Sequence, residues 1–108
     1  MPVTFQKRQQ KLIACLSGEI DHHSAAPVRR EIDRKLQQDK PPVLHLDFSG
    51  VTFMDSSGVG LVMGRYREMQ SYGGVLELGG MSPNIKRIMR LSGIERIATV
   101  IERKEKTK

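Results

Sequence analysis

The chain has no tryptophan and a single cysteine, Cys15, among its 108 residues. One cysteine excludes an intramolecular disulfide and a multi-cysteine metal site. It suits a reducing compartment, and the cytoplasm is the expected location. No apolar run approaches the ~20 residues that a membrane-crossing helix needs. Residues 1–8 lack the basic, then apolar, then small-residue order of a signal peptide, so no membrane partner and no export are expected. There are only two tyrosines and three phenylalanines, and none is interleaved with basic residues in the manner that stacks nucleobases. The histidines number three. His22 and His23 are neighbours in a loop and His45 sits in an apolar run. Adjacent residues rarely aim at one point, and zinc needs three or four ligands, so no metal is expected.

Positive charge is present in excess. Eighteen Lys and Arg against twelve Asp and Glu give a net charge of +6, which raises a nucleic-acid or anionic-surface partner. The charges are dispersed, however: Lys7, Arg8 and Lys11; then Arg29, Arg30, Arg34 and Lys35; then Lys86, Arg87 and Arg90; then Lys104, Lys106 and Lys108. Acids interrupt most of these groups, so a solvated basic surface is expected and nucleic acid is not the expected partner. A small basic nucleic-acid-binding domain is the alternative, and it would bind with a steep salt dependence. A chain of this length buries about two-thirds of its surface, enough for one core. Residues 1–108 are therefore one expected domain, with residues 102–108 a charged, frayed tail.

The order of elements points to an α/β fold. Residues 2–8 and 11–17 read as a strand pair turning at Gln9-Gln10, and Cys15 in the second strand reads as a small core residue. A loop over 17–24 follows. Ser24 is placed to cap a helix that runs to about Gln38, with Pro27 in its first turn and Val28, Ile32 and Leu36 as its apolar stripe. Val43 to Phe48 is nearly continuous apolar sequence, as expected for a parallel strand covered on both faces. A helix is expected over 57–71, with Val59, Val62, Met63, Tyr66 and Met69 inside. Residues 75–78 read as a short strand. Ser82-Pro83 starts another helix, with Ile85, Ile88, Met89 and Ser92 inside, and a last strand is expected around Ala98 to Val100. Helix-linked strands of this kind form a mixed, mostly parallel sheet of about four to five strands with helices packed against it. Sites in such sheets lie beyond the carboxyl ends of the strands, which include loops 17–24, 49–56 and 79–82.

The midpoint of the chain, Phe53-Met54-Asp55-Ser56-Ser57-Gly58-Val59-Gly60, falls on that edge, at a helix start. Four chemistries suit it. Ser56 or Ser57 caps the helix, worth about 1 kcal/mol. A dinucleotide cradle would need a G-x-G-x-x-G spacing and a second mononucleotide half, and neither is present. An aspartate-phosphorylated receiver would need clustered magnesium oxygens, which Asp47 and Asp55 do not supply. A phosphoserine at Ser56 would bring about −1.5 to −2 charges to a helix N-terminus that favours anions, and a partner on the same surface would be repelled. Nor is there a base–nucleophile pair that would make the chain an enzyme: His22 and His23 could approach Ser56, but no orienting acid can be placed. Gly58, Gly60 and Gly64 each cost a helix about 1 kcal/mol relative to alanine, so close approach of the sheet or of a partner is expected there.

Gly18-Glu19-Ile20-Asp21-His22-His23, the central stretch just quoted, Met63-Gly64-Arg65-Tyr66, Gly73-Gly74 and Ser82-Pro83 with Lys86-Arg87 together resemble the anti-sigma factor antagonists of the STAS family, most closely its sporulation type. The resemblance covers about residues 3–101 and implies a STAS-type sheet and a transcription regulator that is not an enzyme. It implies a partner-switching cycle. The unphosphorylated protein binds an anti-sigma factor that is also a serine kinase, and so releases a sigma factor. That kinase uses ATP as its own co-substrate to phosphorylate Ser56, and the phosphoprotein lets go. A serine phosphatase resets it, and the chain itself carries no cofactor. The resemblance places Asp21, His22, His23, Asp55, Ser57, Gly58 and Gly60 on the partner-binding surface. Family members carry a further C-terminal helix, which is expected to be short or missing here.

Overall fold

The computed structural model describes residues 3–101. The expected tail at 102–108, and with it the question of the C-terminal helix, lies outside the described residues. Val3–Arg8 (β1) and Lys11–Ile20 (β2) form a hairpin that turns at Gln9, whose φ of 56° is the left-handed value required by a tight hairpin turn. There follow Ala25–Asp39 (α1), Val43–Met54 (β3), Ser56–Gln70 (α2), Val75–Gly79 (β4), Pro83–Leu91 (α3), a short 3-10 turn at Ile94–Arg96, and Thr99–Ile101 (β5). The five strands lie in sequence order, β1 antiparallel to β2 and all later pairs parallel. The expected mixed, mostly parallel sheet is therefore present.

Sequential order decides where the helices go. Each parallel crossover is right-handed, and each moves one strand in the same direction, so α1, α2 and α3 share one face. Burial agrees. Leu12, Ala14 and Leu16 on β2, Leu44, Leu46 and Phe48 on β3, and Leu76 and Leu78 on β4 are fully buried at alternate positions. Each of these leucines, and Phe48, contributes about 1.5–3 kcal/mol when its side chain is withdrawn from water. The residues between them, Ile13, Cys15, His45, Asp47 and Glu77, are only half-buried. The expectation of a strand covered on both faces is thus corrected for Val43 to Phe48, and Cys15 is not a core residue. The apolar run misled because the open face of β3 is screened by its own neighbours rather than by helices.

Two other boundaries differ. β2 continues to Ile20 and β3 to Met54, through register shifts between Cys15 and Ser17 and between Gly18 and Glu19. Residues expected as loops at 17–20 and 49–53 therefore form a ribbon that extends past β4. On α2 the inward stripe is Gly58, Leu61, Val62, Arg65 and Met69, while Val59, Met63 and Tyr66 are partly buried. The stripe is rotated because a charged residue takes an inner position. The expected stripe of α1 is observed, and in α3 Ile85 and Met89 are buried while Ser92 is exposed as the C-cap.

Arg65 is only 4% exposed, and its Nε lies 3.0 Å from Oδ1 of Asp33 on α1. The contact is an ion pair without the alignment of a hydrogen bond. Burial pushes the Arg65 guanidinium down and the Asp33 carboxyl up, and their mutual attraction opposes both shifts. A pair of this kind fixes the spacing of α1 and α2 more than it stabilises them. Asp33→Ala should lower stability by about 2 kcal/mol in urea unfolding, and Asp33→Leu with Arg65→Met should recover most of that loss.

On the open face, Glu77 accepts from Lys11 Nζ at 3.0 Å and lies 2.9 Å from His45 Nδ1. Burial raises the Glu77 carboxyl, but the bonds from His45 and Lys11 outweigh it and hold the group below its ordinary value of 4.5. The depressed value means that the carboxylate stabilises the fold at and above pH 4.5 and that this contribution disappears as pH falls through the lowered value. Glu77→Gln should therefore flatten the acid limb of a pH–stability profile below pH 4.5 while changing its neutral-to-alkaline shape little.

Candidate functional site

Two strand ends define the site. Ile20 pairs with Met54 at the last step of the ribbon, and the Asp55 amide donates to the Ile20 carbonyl at 3.2 Å. The loop after β2 and the start of α2 are thereby held side by side at the carboxyl edge of the sheet.

The loop is closed by its own side chains. Asp21 Oδ1 accepts the His23 and Ser24 amides at 3.0 Å each, and Ser24 Oγ accepts the Asp21 amide at 3.0 Å and donates to the Glu19 carbonyl at 2.7 Å. Those bonds, first of all that from the Ser24 amide, hold the Asp21 carboxyl below its ordinary range. Ser24 stands at the N-cap position of α1 but makes no side-chain cap bond to the helix. The expected capping role is corrected: its hydroxyl faces back into the loop. His22 and His23 are exposed, their rings 4.7 Å apart between centroids. Among the described residues, no group of three or more His, Cys, Asp or Glu could hold a metal ion.

At α2 the cap is Asp55, whose carboxylate accepts the Ser57 amide at 2.8 Å from an extended backbone. The reading in which Ser56 or Ser57 caps this helix is therefore corrected. Asp55 does so because it is the last residue before the helical turn and its short carboxylate reaches the second helical amide. Ser56 is exposed, and its hydroxyl forms no hydrogen bond among the described residues. Ser57 is half-buried and contributes its backbone N–H. Asp55 is likewise half-buried.

The glycines divide by function. A Cβ on Gly58 would collide with the Met54 side chain, so close approach comes from the sheet beneath, and Gly58 is buried. A Cβ on Gly60 or Gly64 would meet nothing within 4 Å. Gly60 is exposed, one turn beyond Ser56 on the same side of α2. It lines a groove of about 250 Å³ between α1 and α2, together with His22, Ala25, Ala26, Arg29 and Leu61. Of the residues singled out from sequence, Asp21, His22, His23, Asp55, Ser56 and Ser57 thus gather at one sheet edge, Gly60 borders their groove, and Gly58 faces inward.

Sequence reasoning passed over the small wall of this groove, Ala25 and Ala26, and Arg29 beside them. It also passed over Phe53, which is 50% exposed on the ribbon just before Asp55. The signal for Phe53 was an aromatic at a position opposite in phase to Met54, which is buried.

Comparison with known proteins adds the family. The model of the STAS domain matches residues 3–107. The anti-sigma F factor antagonist of Paenibacillus polymyxa is 30% identical over 102 residues, covering 94% of this chain and 87% of that protein. The solved structure of the anti-sigma factor antagonist SpoIIAA in its unphosphorylated form superposes with a TM-score of 0.81 at 30% identity, over 95% of this chain and 89% of that one. The phosphorylated form of SpoIIAA, a Bacillus cell fate determinant, matches with a TM-score of 0.74 at 30% identity, over 95% and 92%.

The assignment of the cap is directly testable. Asp55→Ala should cost about 1 kcal/mol in urea unfolding, whereas Ser56→Ala should stay within about 0.5 kcal/mol of the parent. Equal losses would return the capping role to Ser56.

Proposed function

This chain belongs to the STAS domain family, and we propose that it is an anti-sigma factor antagonist switched off by phosphorylation of Ser56. The observation that carries the reading is a free, exposed hydroxyl beside an aspartate that already caps the helix. Relatives bearing that name, and SpoIIAA structures in both phosphorylation states, support it.

In this reading the unphosphorylated surface around Ser56, Asp55, Ser57 and the Asp21–His22–His23 loop docks an anti-sigma factor that is also a serine kinase, and a sigma factor is released. Gly60 and the groove behind it let the partner's backbone or side chains lie against α2, while Gly58 keeps α2 close to the sheet. ATP belongs to the partner. The Ser56 oxygen attacks the γ-phosphorus, the new O–P bond forms as the bond to ADP breaks, and the hydroxyl proton passes to a base of the kinase. The chain is the substrate and supplies no catalytic group. A serine phosphatase returns the hydroxyl by hydrolysis, and the cycle runs in the cytoplasm.

Electrostatics supply the switch. The phosphoryl group adds about −1.5 to −2 charges next to the Asp55 carboxylate, with Asp21 on the adjacent strand end. The α2 dipole offsets part of this within the folded chain. A docked partner would have to desolvate the whole anionic corner, so the two states differ in affinity far more than in stability.

With the cognate kinase and ATP, phosphopeptide mapping should place the phosphate on Ser56 and find none in Ser56→Ala; phosphate on Ser57 alone overturns the assignment. Ser56→Asp should weaken partner binding by about 100-fold, a difference of roughly 2.7 kcal/mol, while shifting the thermal midpoint by no more than about 3 °C. A large midpoint loss would make the position structural.

A further inference from the structure

The register shifts of the β2–β3 ribbon turn one side chain away from burial. Val51 packs against the core and lines a cleft of about 480 Å³ beside α3, together with Phe48, Met81, Val100 and Ile101. Regular alternation would carry Phe53, two residues on, to the same side as Val51. The pairing instead sets Val51 opposite Gly18 and Phe53 opposite Glu19, the next residue of β2, so β3 holds one extra residue, Thr52, at this step. A bulge of that kind re-aims the side chain that follows it. Met54 enters the core, and Phe53 faces away from it, 50% exposed. Apolar cover for a ring is thus present on one side of the ribbon, and the chain turns the ring to the other. Phe48 is buried and Phe5, Tyr66 and Tyr72 are partly buried, which leaves Phe53 as the one exposed aromatic.

Charge indicates what kind of surface meets it. Between Lys11 and Arg29, and again between Lys40 and Arg65, the sequence has no Lys or Arg, and it carries Glu19, Asp21, Asp47 and Asp55 there. The ribbon, the loop after β2 and the first turns of α2 are all drawn from these two stretches. In a chain of net charge +6, they supply carboxylates and no cation other than histidine. Glu19 is exposed and is the cross-strand neighbour of Phe53. A ring beside a carboxylate suits an apolar pocket with a basic rim, because a neutral or acidic rim would leave the carboxylate desolvated or repelled.

Position ties the ring to the switch. Phe53 and Ser56 are three residues apart in sequence, so their Cα atoms lie within about 11 Å of each other. A standard interface buries about 800 Å² per partner and is roughly 30 Å across. A protein that closes on Ser56 therefore reaches Phe53 as well, and aromatic side chains near the centre of an interface carry much of its binding energy.

We propose that Phe53 is the apolar anchor of partner docking: its ring enters an apolar pocket of the kinase whose rim presents Lys or Arg to Glu19, and the partner straddles the end of the ribbon with Ser56 on one side and Phe53 on the other. This role rests on the reading of Ser56 as the kinase's substrate and adds what holds that substrate in place. The ring binds and takes no part in phosphoryl transfer.

The test titrates the full chain with its cognate kinase by calorimetry, with Ser56→Asp measured alongside. Phe53→Ala should weaken binding about 30-fold or more, Phe53→Leu should recover part of that loss, and both should keep the thermal midpoint within about 3 °C of the parent. Glu19→Lys should weaken binding about tenfold at low salt and less at high salt. In Phe53→Ala the KM for the chain should rise, while the rate of Ser56 phosphorylation at saturating chain stays within about threefold of the parent, the split expected of a group that binds only. Binding by Phe53→Ala equal to the parent, with Ser56→Asp still weakened, overturns the anchor and leaves the switch standing. A parent chain that does not bind the kinase overturns both. A large loss of midpoint in both Phe53 variants would make the ring structural, and a concentration-dependent doubling of mass that Phe53→Ala abolishes would give it to a second copy of the chain; either result overturns the anchor.

Discussion

Asp55 joins three pieces of structure through three bonds. Its amide donates to the end of β2, its carboxylate accepts the Ser57 amide, and its carbonyl accepts the Gly58 amide at 3.0 Å. The first bond sets the Asp21 loop beside the start of α2. The second satisfies a helix amide that would otherwise draw in a neighbouring hydroxyl. The third closes the first turn, which is possible because Gly58 carries no side chain above Met54. The cap is worth only about 1 kcal/mol, small against the whole fold but large enough to decide which side chain is left free.

The rest of the arrangement follows from strand order. Crossovers that all advance in one direction place α1, α2 and α3 on one face and bring their N-termini to one edge. The two strands nearest the middle are longer than their neighbour, so this edge is not level. The overshoot of the β2–β3 ribbon past β4 separates the α1–α2 groove with Ser56 from the cleft beside α3. The Arg65–Asp33 pair bridges α1 and α2, the two helices that border the groove beside Ser56.

Much of this was readable in the sequence, for identifiable reasons. The stripe of Val28, Ile32 and Leu36, and Ser82-Pro83 with Ser82 accepting the Ile85 amide, each state a local preference that the fold keeps. The family resemblance brought Asp21, His22, His23 and Ser56 together before any coordinates did. What was not legible depends on contacts distant in sequence or on competition between near neighbours. Whether Asp55, Ser56 or Ser57 caps α2 turns on which residue keeps an extended backbone just before the helix, and composition is silent on that. The continuation of β3 to Met54 depends on bulged pairing with Gly18 and Glu19, and glycine with threonine over 50–52 reads as loop when taken alone. The bareness of the second sheet face is a property of topology, and Cys15 and His45 lie on it however apolar their strands are.

Gly60 and Gly64 stand in open space, so nothing in the folded chain requires their lack of a side chain. Each nevertheless raises the conformational entropy that α2 regains on melting. The turns that follow Ser56 therefore have the weaker intrinsic helix propensity, by about 1 kcal/mol per glycine relative to alanine. In the proposed phosphorylation cycle a kinase would draw the hydroxyl into line with a phosphorus atom, and a rigid helix start would resist that displacement. On the proposed reading, the low helix propensity falls where a kinase would act, while the buried half of the same helix, Leu61, Val62, Arg65 and Met69, stays anchored to the sheet and to α1.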